Sequence, residues 1–257
     1  MTNKEFVNKL IEVKKYQTAY AKGTFGQKAT DSFINQKQKQ YPSWYTTARV
    51  KSLKAMSDET RLFDCVGLGK GVLWGFPNIV YTSNGVPDMN DDMMWNSCTE
   101  QSKDFSKIEV GEILWIKGHV GYYIGNGKAI ECTTAWTSNV QVTAVLNIGK
   151  ITGLNGRKWT AHGKLKYITY ATEEKPVNNS STNVSNYPVI KKGSNGNYVA
   201  ELKKLLIAKG YLPYNDVFDE ATLNAVKKFQ SENTDTDGKK LVVDGYVGPK
   251  TWGALYK

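Results

Sequence analysis

The sequence predicts an α+β fold in two parts, a first domain over residues 1–172 and a small all-α second domain over residues 188–257. Apolar residues suit helices before residue 60, whereas from residue 111 the chain is dense in Ile, Val, Tyr and Trp and indicates antiparallel strands. Helices first and strands later is the α+β pattern. Between the domains, residues 173–187 are rich in Asn, Ser and Thr and predict a flexible linker.

Composition places the chain among globular proteins. Of the net charge of +10, residues 1–172 carry +8, from 22 basic and 14 acidic residues. This excess suits an anionic partner such as nucleic acid or the bacterial wall, or simply a solubilising lysine surface. No stretch is apolar enough for a membrane span, and the start does not resemble a secretory signal. We therefore expect synthesis in a cytoplasm without classical secretion.

In the first domain, "FVNKLIEVKKYQTAYAKGTFGQ" predicts a helix running into a glycine-rich loop. "GEILWIKGHVGYYIGNGKAIECTT" predicts two or three antiparallel strands, with a turn at Asn126-Gly127. Further strands are expected in "VQVTAVLNI" and "LKYITY". Together these form an antiparallel sheet behind the N-terminal helices.

The second domain predicts three short helices. "YVAELKKLLIAKGY" stops at Gly210, "DEATLNAVKKFQ" opens on Asp219 as its N-cap, and "GPKTWGALYK" places Pro249 at a first helical position. The turn "DGYVGPKT" and the helix end "AVKKFQ" resemble the three-helix peptidoglycan-binding module of many cell-wall hydrolases. The earlier, related segment "NDVFDEAT" departs from the glycine pattern of that turn.

Three cysteines, Cys65, Cys98 and Cys132, leave at least one free thiol and contain no C-x-x-C pair. In "RLFDCVGLGKGVLWGF", Asp64 is a good N-cap, which places Cys65 in a first helical turn where backbone N–H groups favour a thiolate and an oxyanion. Gly67, Gly71 and Gly75 share one helix face and are expected to let this helix press the thiol against a strand. The alternative is a buried helix with an inert cysteine.

A base for that thiol is found in the predicted strand "KGHVGYYIGNG". His119 and Gly121 lie on one face of this strand, opposite Val120. The hairpin register decides whether Glu131 or Cys132 joins His119, because a strict two-residue turn favours Cys132 and one extra residue favours Glu131. Since Cys132 suits the buried face, we expect a three-residue loop with a glycine bulge and a Cys65–His119–Glu131 triad.

Other residues compete for these roles. His162 precedes an alternating strand and is a rival base, although no carboxylate lies at hairpin distance from it. Cys98 lies in a polar region with nothing to activate it. Four aromatic side chains are candidates either for a groove or for the core: Trp74, Trp95, Trp115 and Trp136.

"DC" at 64–65, "HVGYYIGNG" at 119–127 and Glu131 twelve residues after His119 resemble the NlpC-type cell-wall peptidases and their CHAP relatives, which are papain-like cysteine peptidases. The resemblance implies a papain-like fold over residues 10–172, and it matches Tyr20 to the tyrosine near the family's nucleophile. Glu131 departs from the His, Asn or Gln of the NlpC branch and is nearer the CHAP pattern. "YAKGTFG" at 20–26 replaces the usual Gly-Gly turn.

The resemblances imply a peptidoglycan hydrolase of the bacteriophage endolysin type, with Gram-positive walls as partner and no metal or cofactor. It would remain in the host cytoplasm until lysis; a bacterial enzyme exported by a non-classical route is the alternative. Stem-peptide or cross-bridge endopeptidase and N-acetylmuramoyl-L-alanine amidase activities remain open, since both use such a triad. A non-catalytic wall-binding protein is a second class. Nucleic-acid binding is not expected, because no stretch interleaves basic and aromatic residues.

Overall fold

A computed structural model describes residues 1–170, 187–194, 197–211 and 218–257. The chain divides into two compact units, Met1–Thr172 and Glu173–Lys257. The predicted linker over residues 173–187 lies, apart from Tyr187, outside the described residues. In the described part of the chain, no helix has the length and apolar character needed to span a membrane.

The helices of the first unit begin at polar N-caps. The caps are Thr2, Thr30, Thr46, Asp64 and Asn90, and each side chain accepts a hydrogen bond from a backbone N–H in the first turn. The helices are α1 (Asn3–Val13), α2 (Asp31–Gln40), α3 (Thr47–Lys54), α4 (Cys65–Leu73) and α5 (Asp91–Asn96).

The strands form two sheets. A three-stranded sheet has the order β1-β3-β2, and a seven-stranded sheet has the order β4-β10-β5-β6-β7-β8-β9. The smaller sheet contains β1 (Thr18–Tyr20), β2 (Phe25–Lys28) and β3 (Arg61–Phe63). The larger contains β4 (Cys98–Ser102), β5 (Ile113–Ile116), β6 (His119–Gly125), β7 (Lys128–Thr133), β8 (Asn139–Val145), β9 (Gly156–Arg157) and β10 (Ala161–Leu165).

The strand predictions are confirmed for β5 to β8, which form an antiparallel meander. The prediction for "LKYITY" is wrong: β10 lies earlier, at Ala161–Leu165, and the chain turns directly after it. The sheets are also not purely antiparallel, because β1 runs parallel to β3 and β8 runs parallel to β9. The smaller sheet was not predicted, since its strands of three or four residues are too short to show alternation.

Both faces of the seven-stranded sheet are covered. Alternate residues Val120, Tyr122, Ile130 and Cys132 join the main core with helices α1 and α4. On the opposite face, a second cluster contains Phe105, Leu114, Tyr123, Ala129, Val145 and Trp159. The period-2 alternation of β6 and β7 therefore separates two apolar layers, and His119 and Glu131 emerge on the side of the second cluster.

The described part of the second unit contains α6 (Asn197–Ala208), α7 (Glu220–Glu232) and α8 (Pro249–Leu255). The capping predictions are confirmed, since Asp219 caps α7 and Pro249 begins α8. Its core includes Val199, Leu202, Phe229 and Trp252.

Candidate active site

Helix α4 begins where the sequence predicts, with Asp64 as its cap. Asp64 Oδ1 accepts the N–H of Gly67 at 2.6 Å, and Oδ2 accepts the N–H of Gly23 at 2.8 Å. The second bond joins the loop between β1 and β2 to the start of the helix. Cys65 consequently occupies the first position of α4, held by contacts that come from two separate segments.

The Cys65 thiol is buried, with 7% of the residue exposed, and it faces the backbone N–H groups of Val66 and Val120. Burial, followed by the charge of Asp64, raises the pKa of the thiol to about 12. The backbone N–H groups of Val66 and Val120 lower the pKa of the thiol, as expected, but burial and the charge of Asp64 outweigh them, so the thiol is neutral in this state. Among the described residues, the thiol has no hydrogen bond to the His119 imidazole, although Val120 directly follows His119.

The glycines of α4 allow the expected close approach to a strand, but Gly67 and Gly71 face the start of β2 and not the strand that carries His119. A Cβ atom at Gly67 or Gly71 would collide with the backbone carbonyls of Thr24 and Phe25, so this face packs on the segment entering β2. Gly75 lies beyond the end of the helix, with φ of 96°. The contact with the histidine strand is made by Gly69, whose missing side chain leaves room for the Tyr122 ring.

Tyr122 fixes the start of α4 against β6. Its hydroxyl lies 3.5 Å from the carbonyl oxygen of Cys65 and 3.4 Å from that of Val66. These contacts hold the first turn of the helix beside the strand that carries His119. Gly69 and Tyr122 are each visible in the sequence. Their contact could not be predicted from it, because it depends on how α4 packs against β6.

The β6–β7 hairpin has the parity that brings Glu131 to His119. Gly125 pairs with Lys128 around a two-residue turn, in which Asn126 and Gly127 have φ of 52° and 67°. A bulge at Ile124, between the Tyr123 and Gly125 pairs, shifts the register by one residue. The expected three-residue loop is thus wrong, and the extra residue lies in the strand. The bulge has the effect predicted for the longer loop: Glu131, and not Cys132, lies on the same face of the sheet as His119.

His119 Nε2 and Glu131 Oε2 lie 2.7 Å apart, with Glu131 fully buried. Thr143 Oγ1 donates to Glu131 Oε1 at 2.6 Å, so both carboxylate oxygens are satisfied. Burial opposes ionisation, but the hydrogen bond and charge of His119, supported by Thr143 and Arg157, lower the pKa of Glu131 overall. With Nε2 engaged, Nδ1 is the imidazole nitrogen left to exchange a proton with a nucleophile.

Two further residues complete this cluster and were missed in the sequence. The Trp159 indole stacks on the His119 imidazole, with centroids 5.7 Å apart and planes inclined by 14°. It fills the space that Gly121 leaves, since a Cβ there would meet the indole. Arg157 Nε donates to Glu131 Oε2 at 3.1 Å. Both residues come from the region of β9, whose pairing with β8 gives no periodic signal.

Tyr20 ends β1, and its backbone N–H donates to the carbonyl oxygen of Ser138 at 3.0 Å. Burial, then the charges of Cys65 and Asp64, raise the pKa of Tyr20 above its ordinary value, which keeps the hydroxyl protonated. Its ring lies 5.8 Å from that of Trp44. The structure therefore brings Tyr20 and Asp64 into electrostatic range of the cysteine.

His162 lies in a separate buried cluster. Its Nδ1 forms a short ion pair with Glu112, and Nε2 lies 3.0 Å from the carbonyl oxygen of Asp104. Glu112 does not lie at hairpin distance from His162 in the sequence, but the pairing of β10 with β5, which begins directly after Glu112, brings this carboxylate to the imidazole. Two acceptors require two N–H donors, so this imidazole is protonated and has no free nitrogen to act as a base.

The remaining candidates are distributed between core and surface. The Cys98 thiol has its pKa raised to about 12 by burial, and Cys132 is fully buried in the main core. Trp74 is also a core residue, and Trp95 stacks on Trp115 with centroids 5.2 Å apart. Trp136 is 48% exposed, which leaves it as the one of the four predicted tryptophans with a largely open face.

Comparison with known protein families gives a match in the second unit. Residues 195–255 match the family model described as "Putative peptidoglycan binding domain", a range that includes α6, α7 and α8. No curated protein matches the sequence. Among solved structures, the chain is similar to the crystal structure of the P60 domain from an antigen of M. avium subspecies paratuberculosis, with 16% identity and a TM-score of 0.34. That alignment covers 65% of this chain and 98% of the other.

The family match supports the resemblance seen in "DGYVGPKT" and "AVKKFQ" at the C-terminal end of the chain. It identifies a peptidoglycan-binding domain in the second unit; the mixed α and β unit that carries the cysteine–histidine cluster precedes it in the sequence. The chain is a cell-wall-related protein with peptidoglycan as its partner.

Proposed function

We propose that the protein is a cysteine-type peptidoglycan hydrolase that cleaves an amide bond of the stem peptide or cross-bridge. The observation that carries the proposal is the hydrogen-bonded pair of His119, on β6, and Glu131, on β7, at 2.7 Å. Val120, the residue after His119, faces the Cys65 thiol. A nucleophile, a base and a group that orients the base are the requirements for acyl transfer.

The reaction starts from the neutral thiol, because burial raises the pKa of Cys65 to about 12. With substrate bound, the imidazole must come into hydrogen-bond contact with the thiol, and Nδ1 of His119 takes the proton as the sulfur attacks the amide carbon. Backbone N–H groups at the start of α4 are placed to stabilise the oxyanion. His119 then gives the proton to the leaving amine, which leaves a thioester on Cys65.

Water completes the cycle. His119 removes a proton from a water molecule, the resulting hydroxide attacks the thioester carbon, and the carboxylic product leaves as Cys65 recovers its proton. Throughout, Glu131 holds Nε2 and stabilises the imidazolium. The C-terminal unit would hold the enzyme on the wall and raise the local concentration of substrate.

The central test is Cys65→Ala measured by the clearing of a suspension of purified Gram-positive cell walls. We expect clearing to be abolished while the variant still sediments with the walls. Cys98→Ala is the matched control and should clear at the normal rate, because Cys98 lies outside the cluster. Undiminished clearing by Cys65→Ala would rule out the mechanism.

Two alternatives are separated by the same preparation. If wild-type protein binds walls but never clears them, the protein is a non-catalytic wall-binding protein. If it clears them, mass spectrometry of the released fragments distinguishes an endopeptidase from an N-acetylmuramoyl-L-alanine amidase, which frees intact stem peptides from the glycan. An endolysin held in the host cytoplasm until lysis is the biological setting we propose, with non-classical export as the alternative.

A further inference from the structure

Arg157 makes directional contacts with the buried part of the cluster. Its Nε donates to Glu131 Oε2 at 3.1 Å, and Nη2 donates to Thr133 Oγ1 at 3.3 Å. Glu131 Oε2 is the same oxygen that meets His119 Nε2. One carboxylate oxygen is therefore shared between the imidazole and a permanently charged guanidinium.

Aromatic rings hold the guanidinium in this position. Its carbon lies 5.2 Å from the centroid of Trp136 and 5.5 Å from that of Trp159, both within cation–π distance. Because Trp159 also stacks on His119, the arginine, the indole and the imidazole pack as one unit. Asn147 fixes Trp159 in turn, through backbone hydrogen bonds of 2.7 and 3.0 Å.

The charges around the imidazole explain what this arrangement does. Glu131 faces His119 from β7, the Cys65 thiol lies on the side of α4 with Asp64 behind it, and Trp159 is uncharged. A fully buried carboxylate acting alone would hold a proton on the imidazole tightly. A fixed cation on the same oxygen offsets that charge while leaving the hydrogen bond in place.

We propose that Arg157 is a positioning residue of this centre: it fixes Glu131 against His119 and offsets its charge, so that the imidazole can both accept and release a proton. This inference rests on the proposed hydrolase function, but the coupling itself can be measured without turnover. A lysine would supply the charge without the fork that reaches Glu131 and Thr133 together.

The chain contains only two histidines, which makes a direct test possible. The imidazole resonances of the full chain carrying Cys65→Ala are followed by NMR across pH, with and without Arg157→Met. We expect the titration midpoint of His119 to lie at higher pH in Arg157→Met than in the same protein with Arg157, because the cation beside Glu131 is lost. His162 serves as an internal standard and should not move.

Matched variants separate position from charge alone. Lys158→Met removes the same charge one residue along, from an exposed side chain, and should leave His119 unchanged. Arg157→Lys keeps the positive charge, so its His119 midpoint should lie close to that of the protein with Arg157. An unmoved His119 midpoint in Arg157→Met, or an equal shift in Lys158→Met, would overturn the inference. If Arg157→Met does not fold, Arg157→Gln provides the same comparison.

The two proposals can fail separately. With native Cys65, the pH profile of wall hydrolysis by Arg157→Met should be displaced in the same direction as the titration. A shifted titration in a protein that never clears walls would contradict the hydrolase but leave the coupling intact. If the enzyme is active and Arg157→Met leaves the His119 midpoint unchanged, only the role proposed for Arg157 is contradicted.

Discussion

The two histidines differ in how many ring nitrogens are engaged. His119 has one nitrogen held by Glu131, whereas both nitrogens of His162 meet acceptors, Glu112 and the Asp104 carbonyl. Only the first pattern leaves a lone pair for proton transfer. The second holds an ion pair inside the fold, and it joins β10 to the segments that precede β5.

The ion pair of His162 with Glu112 predicts the direction in which stability changes with pH. Burial alone would lower the pKa of His162, but the bonds to Glu112 and Asp104 raise it above its ordinary value near 6.5. The stabilisation is therefore complete below that value and is lost as pH rises through the raised folded pKa. We expect His162→Gln to lower Tm most at pH 5.5 and progressively less towards alkaline pH.

Thermal unfolding from pH 5.5 to 9 measures this difference. Lys117→Gln, which removes an exposed cation, should give a nearly constant Tm difference over the same range. A deficit of His162→Gln that grows with pH would contradict the assignment of a protonated imidazole.

At the level of single residues, the sequence predicts the features that depend on local geometry. Asp64 as a cap, and Glu131 rather than Cys132 beside His119, follow from capping and from strand parity. Arg157 could not be found this way, because its approach depends on a parallel pairing of β8 with β9. The pKa of Cys65 was also out of reach, since burial is a property of the packed structure.

At the level of elements, the glycines of helix α4 determine how closely it packs against its neighbours. Two faces of the helix are pressed against other segments, one against backbone carbonyls of Thr24 and Phe25 and one against the Tyr122 ring. Side chains at these positions would move the helix and the thiol at its start. The glycines therefore set the depth at which Cys65 lies.

Gly71→Ala tests this packing, because the predicted loss of stability is opposite to the gain expected from helix propensity. Alanine should favour a helix by about 1 kcal/mol over glycine, yet its Cβ would collide with the Phe25 carbonyl oxygen. We expect a net loss of about 1–3 kcal/mol in the free energy of unfolding, as for other overpacked sites. Urea denaturation measures it.

Gly149→Ala is the control, because nothing lies within 4 Å of a Cβ at that position. Its stability should equal that of the wild type. A stabilised Gly71→Ala protein would mean that α4 is not held at this distance from β2.

The sequence located elements with strong periodicity and failed on those without it. Strands β5 to β8 and helix α7 follow from alternation and capping. The three strands of the smaller sheet are too short to be read, and the strand predicted in "LKYITY" was displaced because β10 pairs through Ala161 to Leu165 instead.

At the scale of the whole molecule, the two units divide the proposed work between chemistry and attachment. In the second unit, Gln230 ties the end of α7 to the glycine turn: its amide nitrogen donates to Asp244 Oδ1 at 3.0 Å and to the Tyr246 carbonyl at 2.9 Å. Its amide oxygen accepts the Gly245 N–H at 2.9 Å. The two motifs "AVKKFQ" and "DGYVGPKT" are thus one structural feature.

Gln230→Leu should separate the two functions. Loss of the amide leaves the turn unsupported, so we expect retention on purified walls to fall about tenfold, equivalent to about 1.4 kcal/mol, while hydrolysis of soluble peptidoglycan fragments stays normal. Lys228→Gln, an exposed change on the same helix, is the control and should retain normal wall binding. An equal loss on soluble fragments would show that the turn does not serve attachment.

The bulge at Ile124 has a consequence for how this chain can change in evolution. Because one unpaired residue in β6 decides which side of β7 meets His119, deleting a single residue between the histidine and the turn would present the Cys132 thiol where the Glu131 carboxylate now lies. Substitutions along the exposed part of the hairpin leave that choice untouched. We therefore expect length, more than composition, to be under selection in this hairpin, and natural variants to differ there by replacement and not by insertion or deletion.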